Sequence, residues 1–446
     1  MEDGINSEKR GSTTFPINVL IFPCGTEIGV EIYRSIAYCK EIELFGATSL
    51  EKDVGVAMFE NYFAGLPFVN APEFRETFNN LITSYQIDMV FPAHDAVCLA
   101  LAQMRESIPC KILTSPYETC VICRNKKKTY EFFSGIVPVP KMYASEDEVD
   151  RYPVFVKPAV GEASRGAMRV NSPEELKNIL KQDREYLILE YLPGAEYTVD
   201  CFTNFKGELL FIGARERIRT SGGISVYTRV VDRAVFLPFA KKINEMLKLQ
   251  GAWFFQMKRN EIGELVLMEI APRVSGGMGL FRNRGVNLPL LTIYDALGIE
   301  VKIREYADFP AEMCRSLYNY PMESFSGEFG YSEVYVDFDD TLMVKGRVNP
   351  MLVLFLVQCR NRGIPVHLLT RHRGNILKEI QSLGIRDLID DIIHLGEQER
   401  KSSKIAGEKP ILIDDSFSER EEVANTLGIP VFGVEMIESL IDWRMG

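Results

Sequence analysis

The sequence has no long apolar run and no excess of positive charge. Its longest apolar stretch, residues 351–357, is far shorter than the roughly 20 residues that a membrane-spanning helix needs. The first 14 residues are polar and lack the apolar core of a signal peptide, so residues 1–15 are expected to be a disordered tail. The formal net charge of −11 disfavours non-specific binding to nucleic acid. We therefore predict a cytoplasmic protein without membrane or nucleic-acid partners.

The cysteine pattern does not suggest a disulfide framework. Nine cysteines are scattered along the chain, and an odd number fits a reducing compartment best. Cys120 and Cys123 have the spacing of a zinc-binding pair, but the sequence offers no second pair and no nearby histidine to complete the ligand set. Buried free thiols are therefore favoured over a metal site.

The first predicted domain, residues 16–118, alternates apolar strands with helical patterns. This alternation is typical of a parallel α/β sheet. The turn after its first strand contains Gly25 and Gly29 without the GxGxxG spacing, so it gives little support for dinucleotide binding. His94 follows a later strand, where it could line a substrate pocket or cap the next helix, and both interpretations stay open.

A different pattern defines the second predicted domain, residues 119–306. One strand ends at Lys157 and leads into a loop of small residues, which could fold over a polyphosphate and present backbone N–H groups to it. Two later strands carry Glu190 and Glu269 near their ends, and Arg273 follows the second. Each charge alone is an ordinary strand-end residue. Their common order favours a nucleotide site.

In this order the residues resemble the ATP-grasp fold, and the first domain resembles the Rossmann-like domain that precedes it. The resemblance is nearest to the carbamoyl-phosphate synthase large-chain and amino-acid ligase branch, and it implies ATP and Mg²⁺ as cofactors. The cofactor-binding residues that it implies are Lys126 and Lys157 for the phosphates, Gly161, Ser164 and Gly166 in the covering loop, Glu190, Tyr191 and Leu192 for adenine, Glu196 for ribose, and Arg215 and Arg217 for phosphate or substrate. The implied metal ligands are Gln256 and Glu269, and the implied catalytic residue is Arg273, which would meet the reacting phosphate or carboxylate.

One position departs from the ATP-grasp pattern. Members of the family usually carry an asparagine before the Pro-Arg pair, and it helps to bind a second Mg²⁺. Here the residue is Ala271, whose methyl group cannot ligate a metal. Gln256 is also neutral where many members have aspartate, so the resemblance implies a weaker second metal site.

The last part of the chain, residues 331–446, carries paired carboxylates at the end of an apolar strand. Asp337 and Asp339 are spaced i, i+2, so both can turn toward one phosphate where the strand ends. One carboxylate can attack phosphorus while the other passes a proton to the leaving oxygen. Further apolar strands end at Thr370 and at Asp414, as expected for a parallel sheet with its site at the carboxyl edge.

These motifs resemble those of the haloacid dehalogenase-like phosphatases. The resemblance implies Asp337 as nucleophile, Asp339 as general acid/base and Thr370 as a phosphate ligand. It implies Lys404 as the balancing cation, with Lys401 as a rival for that role. The implied Mg²⁺ ligands are Asp337, Asp339, Asp414 and Asp415. The gaps between the motifs are too short for a cap domain, so an open site is expected.

The expected fold is α/β: a Rossmann-like domain, an α+β ATP-grasp domain, an ordered linker over residues 307–330 and a capless parallel α/β domain. The predicted function is bifunctional, combining an ATP-dependent carboxylate–amine ligase that forms an acyl phosphate with a Mg²⁺-dependent phosphate monoester hydrolase. The expected partners are a small-molecule carboxylate, an amine and a phosphorylated metabolite, and a homo-oligomer is left open. The alternatives are a carbamoyl-phosphate-like kinase or phosphotransferase, and an ATP-sensing regulator whose only activity is the phosphatase.

Overall fold

Strands with period-two apolar patterns and amphipathic helices alternate along the chain. The computed structural model describes residues 16–161, 165–181, 185–305, 310–316 and 329–444. The predicted tail and Ser164 lie outside these ranges. Contacts divide the chain into two units, one with the described residues up to 316 and one with those from 329 onward. None of the described helices combines the length and apolar character that a membrane crossing requires.

Short runs of β-branched and aromatic residues form a parallel sheet at the start of the first unit. Its strands are β1 (Ile17–Phe22), β2 (Ile42–Ala47), β3 (Asn61–Phe63), β4 (Met89–Pro92) and β5 (Lys111–Ile112), in the order β3-β2-β1-β4-β5. The helices of this region are α1 (Glu27–Ile36), α2 (Phe74–Ser84), α3 (Asp95–Gln103), α4 (Tyr117–Arg124) and α5 (Lys126–Phe133). Because the strands are parallel, the loops after β1 and β4 meet at one edge of the sheet.

A small antiparallel sheet follows. Its strands are β6 (Met142–Tyr143), β7 (Val154–Pro158), β8 (Met168–Val170) and β9 (Tyr186–Glu190), in the order β6-β9-β7-β8. Helix α6 (Pro173–Leu180) packs Leu176 and Ile179 into the core of this sheet, against Val154 and Val156. The pairing of β7 with β9 places Lys157 opposite Leu187, near the start of β9.

A larger antiparallel sheet completes the first unit. Its strands are β10 (Glu196–Thr203), β11 (Leu209–Ser221), β12 (Ile224–Val230), β13 (Gly251–Arg259), β14 (Leu265–Ala271) and β15 (Glu312–Cys314), in the order β14-β13-β10-β11-β12-β15. Its helices are α7 (Leu237–Met246), α8 (Gly279–Arg282) and α9 (Leu288–Ala296). Because side chains alternate between the two faces of a strand, Val199 and Cys201 of β10 lie in an apolar core, and Thr198 and Asp200 lie on the other face.

Strand β15 lies within the segment predicted as an ordered linker, residues 307–330, of which residues 307–309 and 317–328 are outside the described ranges. Residues 312–314 pair with β12 and extend the large sheet by one edge strand, and the Arg315 N–H donates to Val226 O at 2.8 Å. Proline and glycine around this segment suggested a connector. Pairing with an existing sheet edge overrides such local signals.

The second unit is a parallel sheet with helices. Its strands are β16 (Glu333–Val336), β17 (Met343–Val344), β18 (Arg347–Val348), β19 (Val366–Thr370), β20 (Asp391–His394), β21 (Pro410–Ile413) and β22 (Val431–Phe432). Its helices are α10 (Pro350–Asn361), α11 (Ile376–Ser382) and α12 (Phe417–Leu427). The sheet order is β20-β19-β16-β21-β22, and β17 and β18 form a separate hairpin. This hairpin is all that lies between Thr341 and α10 in the described chain, so no cap domain is inserted there.

Candidate functional site

A cavity of about 250 Å³ is lined by both the parallel sheet and the large antiparallel sheet of the first unit. The loops after β1 and β4 contribute Thr26, His94 and Asp95. Strands β10, β11, β13 and β14 contribute Thr198, Arg215, Gln256 and Glu269. The cavity therefore lies at the carboxyl edge of the parallel sheet, where ligands of α/β proteins commonly bind.

One side of the cavity holds the residues predicted for phosphate and metal. Gln256 and Glu269 are cross-strand partners on β13 and β14. Lys126 Nζ lies 4.0 Å from Glu269 Oε2 and donates to Gly161 O at 3.1 Å. Amide and carboxylate oxygens are ligands that Mg²⁺ accepts, and the ammonium complements phosphate. Ala271 also lines the cavity, with a methyl group where asparagine would offer an oxygen.

A smaller apolar cavity lies beside this group on the same face of the large sheet, because Gln256 lines the large cavity and Lys258, two residues further along β13, lines the small one. Its lining residues are Phe155, Lys157, Glu190, Tyr191, Leu192, Lys258 and Met268. Met268 lines the small cavity and the next residue, Glu269, lines the large one, so the two are neighbours. Lys157 is buried, and its Nζ donates to Tyr130 Oη at 2.7 Å. Burial lowers the pKa of Lys157 to about 8, although Glu269 and Glu196 oppose that effect.

Two acidic residues predicted to contact the nucleotide are already held by protein groups. Glu190 Oε1 accepts from the Lys141 N–H at 3.0 Å, and its other oxygen lies 3.7 Å from Arg151. Glu196 forms an ion pair with Arg217 at 2.9 Å, and Lys258 lies 3.7 Å away. A nucleotide would therefore share these carboxylates or displace their partners.

Arg215 belongs to a cluster of buried polar side chains that was not predicted from the sequence. Its Nε donates to Asp200 Oδ2 at 2.8 Å and its Nη2 to Ser275 Oγ at 3.1 Å. Ser275 Oγ in turn donates to Asp200 Oδ1. The signal for Thr198 and Asp200 was available: with Glu196 they form an i, i+2, i+4 polar series on β10, which marks one face of the strand.

Arg273 is bound to the first sheet. Its Nε and Nη2 donate to the two oxygens of Asp95 at 2.6 and 2.9 Å, and its guanidinium lies over the ring of Phe254. Burial would raise the pKa of Asp95, but Arg273 outweighs burial and lowers it to about 2. The predicted contact of Arg273 with a reacting group thus competes with a bidentate ion pair.

His94 satisfies both interpretations that were left open. Its Nδ1 accepts from the Ala96 N–H at 3.3 Å and so caps α3, while the residue also lines the large cavity. Cys120 and Cys123 line the same cavity as buried free thiols. Among the described residues they join no cluster of metal-ligating side chains.

The second unit places three carboxylates at the carboxyl edge of its sheet. One oxygen each from Asp337, Asp414 and Asp415 lies within 4.8 Å of the others. Lys401 Nζ donates to Asp337 Oδ1 at 2.7 Å and also to Asp414. Burial raises the pKa of Asp337 to about 6 even though the charge of Lys401 opposes this. Thr370 is fully buried at the end of β19.

Two residues predicted for this site, Lys404 and Asp339, lie apart from the carboxylate cluster. Lys404 Nζ pairs with Glu399 at 2.8 Å, and Lys401 instead occupies the carboxylate cluster, because a short helical turn over residues 401–403 directs the first lysine inward. Asp339 is exposed and lies outside the three-carboxylate cluster. Its carboxylate contacts His372 Nδ1 at 3.0 Å, and His372 Nε2 contacts Glu379 at 2.9 Å.

Comparison with known proteins bears on the first unit. Residues 182–314 match a family model described as ATP-grasp in the biosynthetic pathway with Ter operon. The vancomycin B-type resistance protein VanB of Enterococcus faecalis is 30% identical over 181 residues, which cover 36% of this chain and 52% of that protein. The chain spans between about a quarter and about half of the length of the curated relatives it matches.

Two solved structures show the same fold at low identity. The biotin carboxylase domain of Hydrogenobacter thermophilus 2-oxoglutarate carboxylase, in complex with MgADP, ADP and bicarbonate, has a TM-score of 0.55 at 15% identity, covering 66% of this chain and 72% of that one. An L-amino acid ligase from Bacillus licheniformis has a TM-score of 0.51 at 18% identity, covering 64% and 75%. The chain therefore contains an α/β ATP-grasp fold, and its segment 182–314 matches the model of an ATP-grasp family.

Proposed function

We propose that the first unit is an ATP-dependent carboxylate–amine ligase that uses Mg²⁺ and forms an acyl phosphate. The observation that carries this proposal is the convergence of Lys126, Gln256 and Glu269 on one cavity, next to an apolar cavity that holds Lys157. The relatives support it, because VanB resembles the segment and an L-amino acid ligase shares the fold. We assign adenine to the region of the small cavity, which Tyr191 and Leu192 line and which must widen from about 30 Å³ to admit the ring.

In this proposal the chain acts mainly by positioning and by charge neutralisation. Lys157 and Lys126 neutralise phosphate oxygens, and Gln256 and Glu269 supply ligands for Mg²⁺, which would offset charge on the transferring phosphoryl group. A carboxylate oxygen attacks the γ-phosphorus and the bond to ADP breaks. The amine then attacks the acyl carbon, phosphate leaves, and the amine loses a proton.

The test is ADP release by the full chain from MgATP in the presence of paired amino acids, sugar acids and amines. Glu269→Gln should abolish ADP release, because it removes the metal-ligating charge. Glu264→Gln is the matched control, since this residue lies on the same hairpin, is exposed and forms hydrogen bonds with Asn260. Wild-type protein that neither binds nucleotide nor releases ADP with any pair would contradict the proposal.

We further infer that the second unit hydrolyses phosphate monoesters. The observation behind this inference is the cluster of Asp337, Asp414 and Asp415 around Lys401, a charge set that fits Mg²⁺ and a phosphate. Asp337 would attack phosphorus while the ester oxygen leaves with a proton from Asp339. Water would then cleave the aspartyl-phosphate. Mg²⁺, when bound, would offset charge on the phosphate oxygens.

Hydrolysis of p-nitrophenyl phosphate by the full chain tests this second activity. Asp337→Asn should abolish Mg²⁺-dependent hydrolysis and leave ADP release from the first unit unchanged, because catalytic groups that act together lose most of their effect when one is removed. Asp391→Asn, at an exposed position of β20, should retain both activities. Hydrolysis that survives Asp337→Asn would exclude the assigned nucleophile.

A further inference from the structure

Two buried polar atoms in the wall of the large cavity have no partner within the described part of the chain: Thr198 Oγ1 and Arg215 Nη1. The residues are 1% and 2% exposed, and both line the cavity. They are cross-strand partners on β10 and β11, so their side chains are neighbours on one face. Buried donors are rarely left without a partner, because desolvation then goes uncompensated. Two such donors side by side point to a ligand atom that both contact.

The surroundings of Arg215 hold its guanidinium in one orientation. Nε and Nη2 are fixed by Asp200 and Ser275, which leaves Nη1 as the group that can receive a ligand. A Cβ on Gly277 would lie 2.6 to 2.7 Å from Nη1, Cζ and Nη2, so only glycine lets this backbone pack against the guanidinium and hold it in place. A guanidinium N–H and a hydroxyl both donate, so the matching ligand atom is an acceptor, and the positive charge favours an anionic oxygen.

The strand register places this pair away from the metal ligands. A row of cross-strand partners runs from Glu269 on β14 through Gln256 on β13 and Thr198 on β10 to Arg215 on β11. Neighbouring strands are about 4.8 Å apart, so the backbones of Gln256 and Arg215 are separated by roughly 10 Å. The phosphate-binding residues lie at the Glu269 end. An oxyanion at the Arg215 end therefore belongs to the other substrate.

We propose that Thr198 Oγ1 and Arg215 Nη1 form a subsite for an anionic oxygen of the carboxylate substrate. This assignment rests on the proposed ligase function and specifies which groups recognise the acid. It gives the carboxylate a different partner from Arg273, whose Nε and Nη2 already bind Asp95. A phosphoryl oxygen has the same chemistry as a carboxylate oxygen, so the test separates these two sources.

The experiment measures the thermal midpoint of unfolding of the full chain with saturating MgADP. Acetate or inorganic phosphate is then added, and chloride serves as the ionic-strength control. Acetate should stabilise the wild type, because a ligand that binds only the native state raises its stability. Thr198→Val and Arg215→Lys should each raise the dissociation constant for acetate by about tenfold or more, the usual effect of losing a hydrogen bond to a charged group. Thr198→Val should retain the shift with MgADP.

Thr203→Val is the matched control on the same strand. Thr203 Oγ1 donates to Asn244 Oδ1 at 2.6 Å and accepts from Trp253 Nε1 at 2.8 Å, so its loss should lower the thermal midpoint and leave acetate binding unchanged. Thr198→Val should behave in the opposite way. The unliganded variant should be at least as stable as wild type, because the hydroxyl that it removes has no internal partner in the described structure.

Several outcomes would overturn the assignment. Acetate that gives no shift while MgADP does would remove the subsite and leave the ligase proposal standing. Stabilisation by phosphate alone, dependent on Arg215, would assign the pair to the phosphoryl group. A Thr198→Val variant as destabilised as Thr203→Val would show that the hydroxyl has an internal partner. If MgADP gave no shift in the wild type, the proposed function would fail, and acetate without nucleotide would still test the subsite.

Discussion

Lys157→Met should make the unliganded protein more stable while abolishing its response to nucleotide. The lysine is buried, and its pKa is lowered from an ordinary value of 10.5 to about 8, mainly by burial. At about 1.4 kcal/mol per pKa unit, this difference corresponds to roughly 3 kcal/mol of folding free energy lost near neutral pH. Methionine has a similar length and carries no charge to desolvate. The hydroxyl of Tyr130 stays satisfied because it donates to Met268 O at 2.8 Å.

The sign of the pH dependence follows from the lowered pKa of Lys157. Below about pH 8 the lysine is protonated in both the folded and the unfolded protein, so the full cost of burying the charge is present. Between about pH 8 and 10.5 the folded protein can bury a neutral amine, and the cost disappears. The advantage of Lys157→Met should therefore be greatest near neutral pH and should shrink as the pH rises through this window.

Urea denaturation at about pH 7 and about pH 10 measures this difference, with and without MgATP. Lys141→Met, at an exposed lysine next to β6 of the same small sheet, should change stability by less than about 0.5 kcal/mol. MgATP should stabilise wild type and the Lys141 variant but not Lys157→Met. A Lys157→Met protein that is clearly less stable than wild type near pH 7, or whose advantage does not change with pH, would refute the reasoning.

Three further predictions concern single side chains. Lys401→Met should abolish p-nitrophenyl phosphate hydrolysis, because the Nζ of Lys401 bridges Asp337 and Asp414. Lys404→Met should retain the activity, since Lys404 pairs with Glu399. The reverse result in a kinetic assay would contradict the placement of the two lysines. Ala271→Asn should lower the Mg²⁺ concentration needed for half-maximal ADP release, since it adds an oxygen ligand, and an unchanged requirement would show that another group fills the position. Asp95→Asn should lower the free energy of unfolding by at least roughly 2 kcal/mol near neutral pH, because the native pKa of the carboxylate it removes is lowered to about 2. The variant should also lose less stability than wild type between about pH 4 and 2, and denaturation at each pH measures both effects.

The sequence was informative wherever strand ends carry charges. Parallel pairing in the first and last parts of the chain was predicted from apolar strands that alternate with helices, and Lys126, Gln256 and Glu269 were expected at one site from the resemblance to the ATP-grasp fold. Register is set by tertiary pairing, so the sequence alone could not show that Thr198 faces Arg215. It also could not show that residues 312–314 extend the large sheet, because a three-residue strand has almost no periodicity to detect.

The two lysines of the second unit show why a motif match does not determine geometry. Lys401 and Lys404 are three residues apart, and either could satisfy the family pattern by spacing. A short helical turn decides between them, because it points Lys401 at Asp337 and turns Lys404 toward Glu399. Such a turn depends on local hydrogen bonds such as Lys404 N–H to Lys401 O at 3.0 Å, and the linear pattern does not encode its direction.

The large and small cavities of the first unit concentrate groups that cost folding free energy when no ligand is bound. Lys157 is a buried charge with a lowered pKa, and Thr198 and Arg215 each hold a buried donor without a partner in the described chain. Ligands that satisfy these groups bind only the native state, so they return stability that grows with the logarithm of their concentration. Substitutions that remove the Lys157 charge or the Thr198 hydroxyl should therefore raise the unliganded stability and reduce the stabilisation by ligand together. Scaffold residues such as Thr203 should lower the first and leave the second unchanged, so measuring both quantities across a set of variants separates ligand-binding side chains from structural ones.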